Sequence, residues 1–247
     1  SASPPDCLCP VTWKYPIVGR VPYKGFFDPK MARAAAEKLD AQGLDTYLRP
    51  SGAFSTLGWF NDPLLSTALG GDSVEIAALV FHEVAHNTLY VKSATPFNET
   101  FAQMAGYRSA EAFFRERGDS ALAARAADRW HDELVLAAFY DSLATRLDTL
   151  YASRPDSAAL AAGRAGAGRW SREQLEGSVG AELRTIQVGR MADRPVNNAR
   201  LIAARIYRAH SAWFEEWYQR NGADIRLSVE RLQPVVAGAE GDSAFAR

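Results

Sequence analysis

The sequence predicts a mainly helical α+β domain. Apolar residues recur at helical spacing through most of the chain beyond Phe27, whereas strand-forming residues interleaved with turn formers are confined to about the first sixty positions. A chain of 247 residues with 47% hydrophobic residues can bury a sizeable core, so one domain over residues 1–247 is expected. The 28 Lys and Arg against 29 Asp and Glu leave a net charge of -1, which offers polyanions no general attraction and argues against a dedicated nucleic-acid binder. No stretch approaches the ~18 consecutive apolar residues that span a bilayer, so no transmembrane segment is expected.

Residues 1–27 read as an extended N-terminal segment, with Pro16, Gly19, Pro22 and Gly25 punctuating short strands. The chain opens at Ser1 rather than Met, and removal of whatever preceded it is expected, either by natural processing or by design of the expressed protein. Cys7 and Cys9 lack the partner spacing of a structural zinc motif, and a bond across one intervening residue would be strained. Two ordinary thiols are expected, the alternative being pairing with a segment outside this chain.

Asp28 followed by Pro29 reads as the cap and first position of a helix that ends near Gly43. Residues 46–48 and 53–60 suggest two strands of a hairpin. Asp72 and Glu75 have capping-box spacing at the head of a helix reaching about Tyr90, and another helix starts near Asn98, with Gly106 expected to interrupt it. Residues 119–153 are helix-permissive throughout. The Ala/Gly-biased stretch 158–168 reads as a flexible surface loop. Helical patterns over 171–190, 197–220 and 224–232 follow.

His82-Glu83-Val84-Ala85-His86 stands inside the capped helix. Four residues at 3.6 per turn bring both imidazoles to one face with Cβ atoms ~5–6 Å apart, close enough to share one ion. Neutral imidazole suits Zn²⁺, which in catalytic sites takes three protein ligands and keeps a fourth position open. The longer pattern with a glycine and a third histidine fails, because those positions hold Leu89 and Lys92. Glu99, at the start of the next helix, can return to the first through an αα-hairpin, giving His82, His86 and Glu99, the gluzincin set on a zincin-like domain. The accidental alternative, two satisfied core histidines, is weakened because half of the four histidines in the chain are spent here.

Further runs carry a family resemblance: Tyr23-Lys24-Gly25-Phe26-Phe27-Asp28, Ser55-Thr56-Leu57-Gly58-Trp59-Phe60 with Asp62-Pro63 and Leu65-Ser66-Thr67, Phe81-His82-Glu83, Leu89-Tyr90-Val91-Lys92, Phe97-Asn98-Glu99 and Asn197-Asn198-Ala199-Arg200-Leu201. Over about residues 10–222 the sequence resembles the zinc aminopeptidases of Gram-negative bacteria. That resemblance implies one Zn²⁺ per chain, a peptide substrate and removal of N-terminal residues. Members look like lipoproteins, so it also implies the bacterial cell envelope, on the periplasmic side, with a lipid-anchored precursor.

A zinc ion on His82, His86 and Glu99 would supply a water acidified toward pKa ~7 and a polarised scissile carbonyl. Glu83 then reads as the general base, moving that proton to the departing amine. For the donor to the developing oxyanion, Tyr207 on the 197–220 helix is the first choice, with His131 and Tyr140 competing and core packing as the alternative for each. Asn98 and Gln103 are candidates to orient the ligands, and helix capping is the alternative for Asn98. Residues 53–60 could offer an edge strand to an extended peptide. Asp62, Asp132 and Asp141 are the acidic candidates for a substrate ammonium, and nothing in the spacing selects one. Trp213 to Tyr218 are most simply core. An endopeptidase with an open cleft, and a metal-binding scaffold without turnover, remain as other readings.

Overall fold

The computed structural model describes residues 1–15, 19–50 and 72–246. It is mainly helical, with short two-stranded pairings near the N-terminus. The chain divides into two compact units, Ser1–Arg49 with Val135–Arg205, and Pro50–Leu134 with Ile206–Arg247.

The first unit holds the strands. β1 (Ala2–Ser3) pairs antiparallel with β4 (Asp45–Thr46), and β2 (Trp13–Tyr15) pairs with β3 (Gly19–Val21). Residues 46–48 were expected to form a hairpin with 53–60, but β4 takes the N-terminal strand as its partner, and 53–60 lies outside the described residues. Between the pairings runs α1 (Pro29–Asp40), whose Asp28 cap accepts from the Lys30 amide at 2.7 Å. Cys7 and Cys9 are joined as a disulfide, contrary to the expected thiols. Their Cα atoms lie 5.2 Å apart, within the ordinary range for a bridge, because the chain turns here as the Ser3 hydroxyl donates to the carbonyls of both.

α4 (Ser120–Ala152) contributes residues 135–152 to this unit. It is followed by α5 (Ser157–Glu176), so 158–168 is helix, not flexible loop. Alanine is the best helix former, Asp156 caps the first turn by accepting from the Ala159 amide, and Gly163 serves packing. A Cβ at Gly163 would stand 2.5 Å from Leu150 Cδ1 of α4, so the small side chain admits close helix approach. The helix expected over 171–190 is broken at Gly177 into the end of α5 and a short α6 (Ser178–Glu182), with a single 3₁₀ turn at Gly189–Met191. Leu136, Leu143, Leu147, Leu175 and Leu201 form this unit's core.

In the second unit, α2 (Ser73–Thr88) begins at Asp72, whose carboxylate accepts from the amides of Val74 and Glu75. α3 (Thr95–Glu116) runs unbroken through Gly106. α8 (Ser211–Arg220) and α9 (Ile225–Val235) complete the unit around Phe97, Phe101, Met104, Trp130, Phe214 and Leu232. The helix expected over 197–220 is two: α7 (Asn198–Ile206) stops, and a turn through His210, whose φ is 55°, leads into α8. Among the described residues no helix is long and apolar enough to cross a membrane.

The Asn197-Asn198 element ties the first unit together. Asn198 is fully buried; its Nδ2 donates to the Pro4 and Cys7 carbonyls, its Oδ1 accepts from Tyr151 Oη at 2.9 Å, and its amide donates to Asp45. Asn197 caps α7 and donates to the Thr46 carbonyl. Asn198→Ala removes the side-chain partner of a half-buried hydroxyl and of two half-buried carbonyls and leaves a void at a fully buried position, so a stability loss of about 1–3 kcal/mol is expected. Urea denaturation checks it: a lower midpoint at unchanged slope is the expected result.

Candidate metal centre

The hairpin of α2 and α3 brings together the residues singled out by spacing. The connection 89–94 is short and held from within: Asn98 Oδ1 accepts from the Val91 amide at 2.8 Å, and its Nδ2 donates to the Val91 carbonyl at 2.7 Å. Asn98 therefore neither caps α3, whose cap position is Ala94, nor is its amide spent on a ligand. It fixes the return of the chain one residue before Glu99. Leu89, Val91 and Ala94 are buried beneath this bend.

His82, His86 and Glu99 converge. Their Nε2, Nε2 and Oε2 atoms form a triangle with sides of 3.1 Å between the histidines, 3.5 Å from His82 to Glu99 and 3.7 Å from His86 to Glu99. A four-coordinate ion with bonds of 2.0–2.1 Å has ligand atoms ~3.3 Å apart on each face, so the triangle matches one face of such a tetrahedron. The residues are 8%, 9% and 8% exposed, and an ionised carboxylate so buried requires positive partners. Burial pushes Glu99 upward, but the hydrogen bonds and charges of His82 and His86 together outweigh it and lower its pKa to about 2. Glu99 is thus a carboxylate throughout the neutral range. Nδ1 of His86 is buried without a hydrogen-bond partner, leaving Nε2 as the nitrogen its surroundings direct to the shared point. The group could hold a metal ion.

Glu83 follows His82 on α2 and is half-buried. Tyr207 lies in the turn after α7, not on a helix, and its ring centroid is 6.2 Å from that of His82. Two contacts position this turn: the Thr100 hydroxyl, adjacent to Glu99, reaches the Ile206 carbonyl at 3.4 Å, and Arg208 pairs with the buried Glu133 at 2.7 Å. Of the competitors, Tyr140 packs on Phe139 in the first unit with centroids 5.1 Å apart, and His131 is half-buried on α4. Gln103 is half-buried on α3. Asp132 is fully buried, Asp141 is exposed and pairs with Arg205 at 2.9 Å, and Asp62 lies outside the described residues. Phe214 and Tyr218 are core, as expected.

Two residues near the triad were not singled out by the sequence. The hydroxyl of Tyr90, just beyond α2, is pushed up by burial and by the charge of Glu99, so it remains a protonated donor at neutral pH. The available signal was its place in the Leu89-Tyr90-Val91-Lys92 run that follows the two histidines. Gly106, read as a helix break, is a packing residue: a Cβ there would lie 2.6 Å from the Ala78 carbonyl and 3.4 Å from His82 Cβ.

A family described as "Putative aminopeptidase" matches residues 1–240, nearly the whole chain, and the chain belongs to that family. No curated protein and no solved structure matches.

Because α3 rests on α2 across Gly106, one added methyl should separate the two sources of ligands. Gly→Ala in an exposed helix interior ordinarily gains up to ~1 kcal/mol. Gly106→Ala is expected to reverse that sign, costing about 1–3 kcal/mol, and to weaken metal binding. Denaturation with a competitive metal titration checks both.

Proposed function

We propose that this member of the family is a zinc-dependent peptide hydrolase acting as an aminopeptidase. The observation that carries the reading is the tetrahedral-face triangle of His82, His86 and Glu99, with a carboxylate, Glu83, next to the first ligand. Two imidazoles and one carboxylate are the donor set of catalytic zinc sites that keep an open position, whereas a purely structural site fills all four positions.

Bound there, zinc supplies the acidified water and the carbonyl polarisation that hydrolysis at neutral pH requires. Glu83 takes the proton from the attacking water and passes it to the departing amine. Glu99 would hold the ion together with the two neutral imidazoles, its carboxylate supplying the one negative charge of the donor set. Tyr207, beside His82, donates its hydroxyl proton in a hydrogen bond to the oxygen on which charge develops. The bacterial envelope, on its periplasmic side, is the proposed location: the family resemblance implies it, and the Cys7–Cys9 bridge fits an oxidising compartment.

Glu83→Gln tests the mechanism. It is expected to retain about one zinc per chain by elemental analysis while peptide hydrolysis falls by at least ~10²-fold. Near-normal turnover in that variant would remove Glu83 from its role, and a wild-type protein that binds zinc without chelator-sensitive turnover would indicate a scaffold.

A panel of matched free-amine and N-acetylated peptides separates the modes of cleavage. Hydrolysis of the free-amine peptides alone is expected, and equal cleavage of the blocked ones would mark an endopeptidase.

A further inference from the structure

The first unit contains a cleft of about 420 Å³, within the size range of small-ligand sites, between α5 and the turn segment 192–196. Four arginines line it, Arg164, Arg169, Arg172 and Arg194, against one acid, Asp193. The chain as a whole has one more acidic than basic residue, so this concentration of positive charge is local and does not follow from composition.

The arginines divide into two kinds. Arg164 is a structural cation: it pairs with Asp45 at 2.7 Å and donates to the Val196 carbonyl at 3.2 Å and to Tyr151 Oη. Arg172 is balanced by Asp193 at 3.0 Å. Their partners fix the two walls. Arg169 and Arg194 are exposed into the space between, and neither lies on an acidic residue of the lining other than Asp193, which Arg172 already holds.

A third guanidinium adds to this excess. Arg200 donates to the Pro195 carbonyl at the same segment, and both burial and the nearby charge of Arg194 push its pKa down, the mark of like charges held close. The lining of the cleft also includes the small residues Ala165, Gly168 and Ala192. Gly168 would place a Cβ in ordinary contact with Val196, 3.7 Å away, so a larger residue would begin to close it.

We propose that this cleft binds a phosphate ester, with Arg169 and Arg194 as the two guanidinium forks on its oxygens. Arginine presents paired N–H donors that match the phosphate oxygens, and a dianion beside Arg194 would offset its repulsion with Arg200. The site uses no residue of the metal centre and stands whether or not the chain hydrolyses peptides.

The test is calorimetric titration of the full chain with pyrophosphate in phosphate-free buffer, for wild type, Arg169→Ala with Arg194→Ala, and the exposed control Arg33→Ala. Saturable binding with Kd below about 1 mM is expected for wild type and the control. The double variant should bind at least about tenfold more weakly with unchanged circular dichroism and zinc content, since each lost charged hydrogen bond carries about that factor. Pelleting with phosphatidic acid vesicles identifies the source of the phosphate. Pyrophosphate binding without vesicle binding assigns a soluble ester, and vesicle binding lost in the double variant assigns a lipid headgroup. Absence of both, or equal affinity in the double variant, overturns the proposal.

Discussion

The second unit is organised by one electrostatic requirement: a carboxylate 8% exposed must be met by compensating polar partners, and Glu99 meets the Nε2 atoms of two imidazoles from the neighbouring helix. That convergence demands that α2 and α3 lie close and in fixed register. Gly106 permits the distance, since anything larger meets the Ala78 carbonyl. Asn98 sets the register by holding the Val91 backbone through both its amide donor and its carbonyl. Thr100 carries the same order outward to the end of α7, where Tyr207 follows. Packing residues and a site residue share about the first three turns of α3, so the geometry of the site and the stability of the hairpin are one property.

Much of this was legible because it is local. A helix start is written in the side chain that accepts from its first amides, and Asp28, Asp72 and Asp224 each do so. The two histidines share a face by the pitch of the helix alone, and Glu99 needs only a hairpin to reach them. What could not be read depends on distant partners. The run 158–168 has the composition of a loop until α4 is present, when its small residues become the means of close approach to Leu150. Gly106 has the same double meaning. The partner of β4 lies more than forty residues away at the N-terminus, and no local pattern announces it. The break between α7 and α8 falls at His210, a residue with no helix-stopping reputation, because Arg208 and Thr100 hold the turn from outside.

The Asn197-Asn198 element shows how a resemblance can be informative and still mislead about role. It is one of the runs that carry the resemblance, and it precedes Tyr207, the proposed oxyanion donor, in sequence. Its side chains instead satisfy the N-terminal strand, β4 and α4, all within the first unit. A buried asparagine with its donors and acceptor all used specifies one arrangement of these segments, since any shift leaves polar atoms unpaired. Cys7 belongs to the same cluster through its carbonyl, so the bridge to Cys9 closes a loop that Asn198 already holds.

The direction of the two helices gives the candidate metal centre a further electrostatic bias. His86 lies in the last turn of α2, where unsatisfied carbonyls carry the negative end of the helix dipole and favour a cation. Glu99 lies in the second turn of α3, just beyond the turn over which the positive end of that helix acts. An antiparallel hairpin is the arrangement that sets those two ends side by side. A divalent ion with one carboxylate and two neutral imidazoles retains a net charge of about +1, and the α2 terminus opposes that excess within the single turn over which the dipole acts. The hairpin therefore supplies, besides the three donor atoms, the negative end of α2 at the ligand His86.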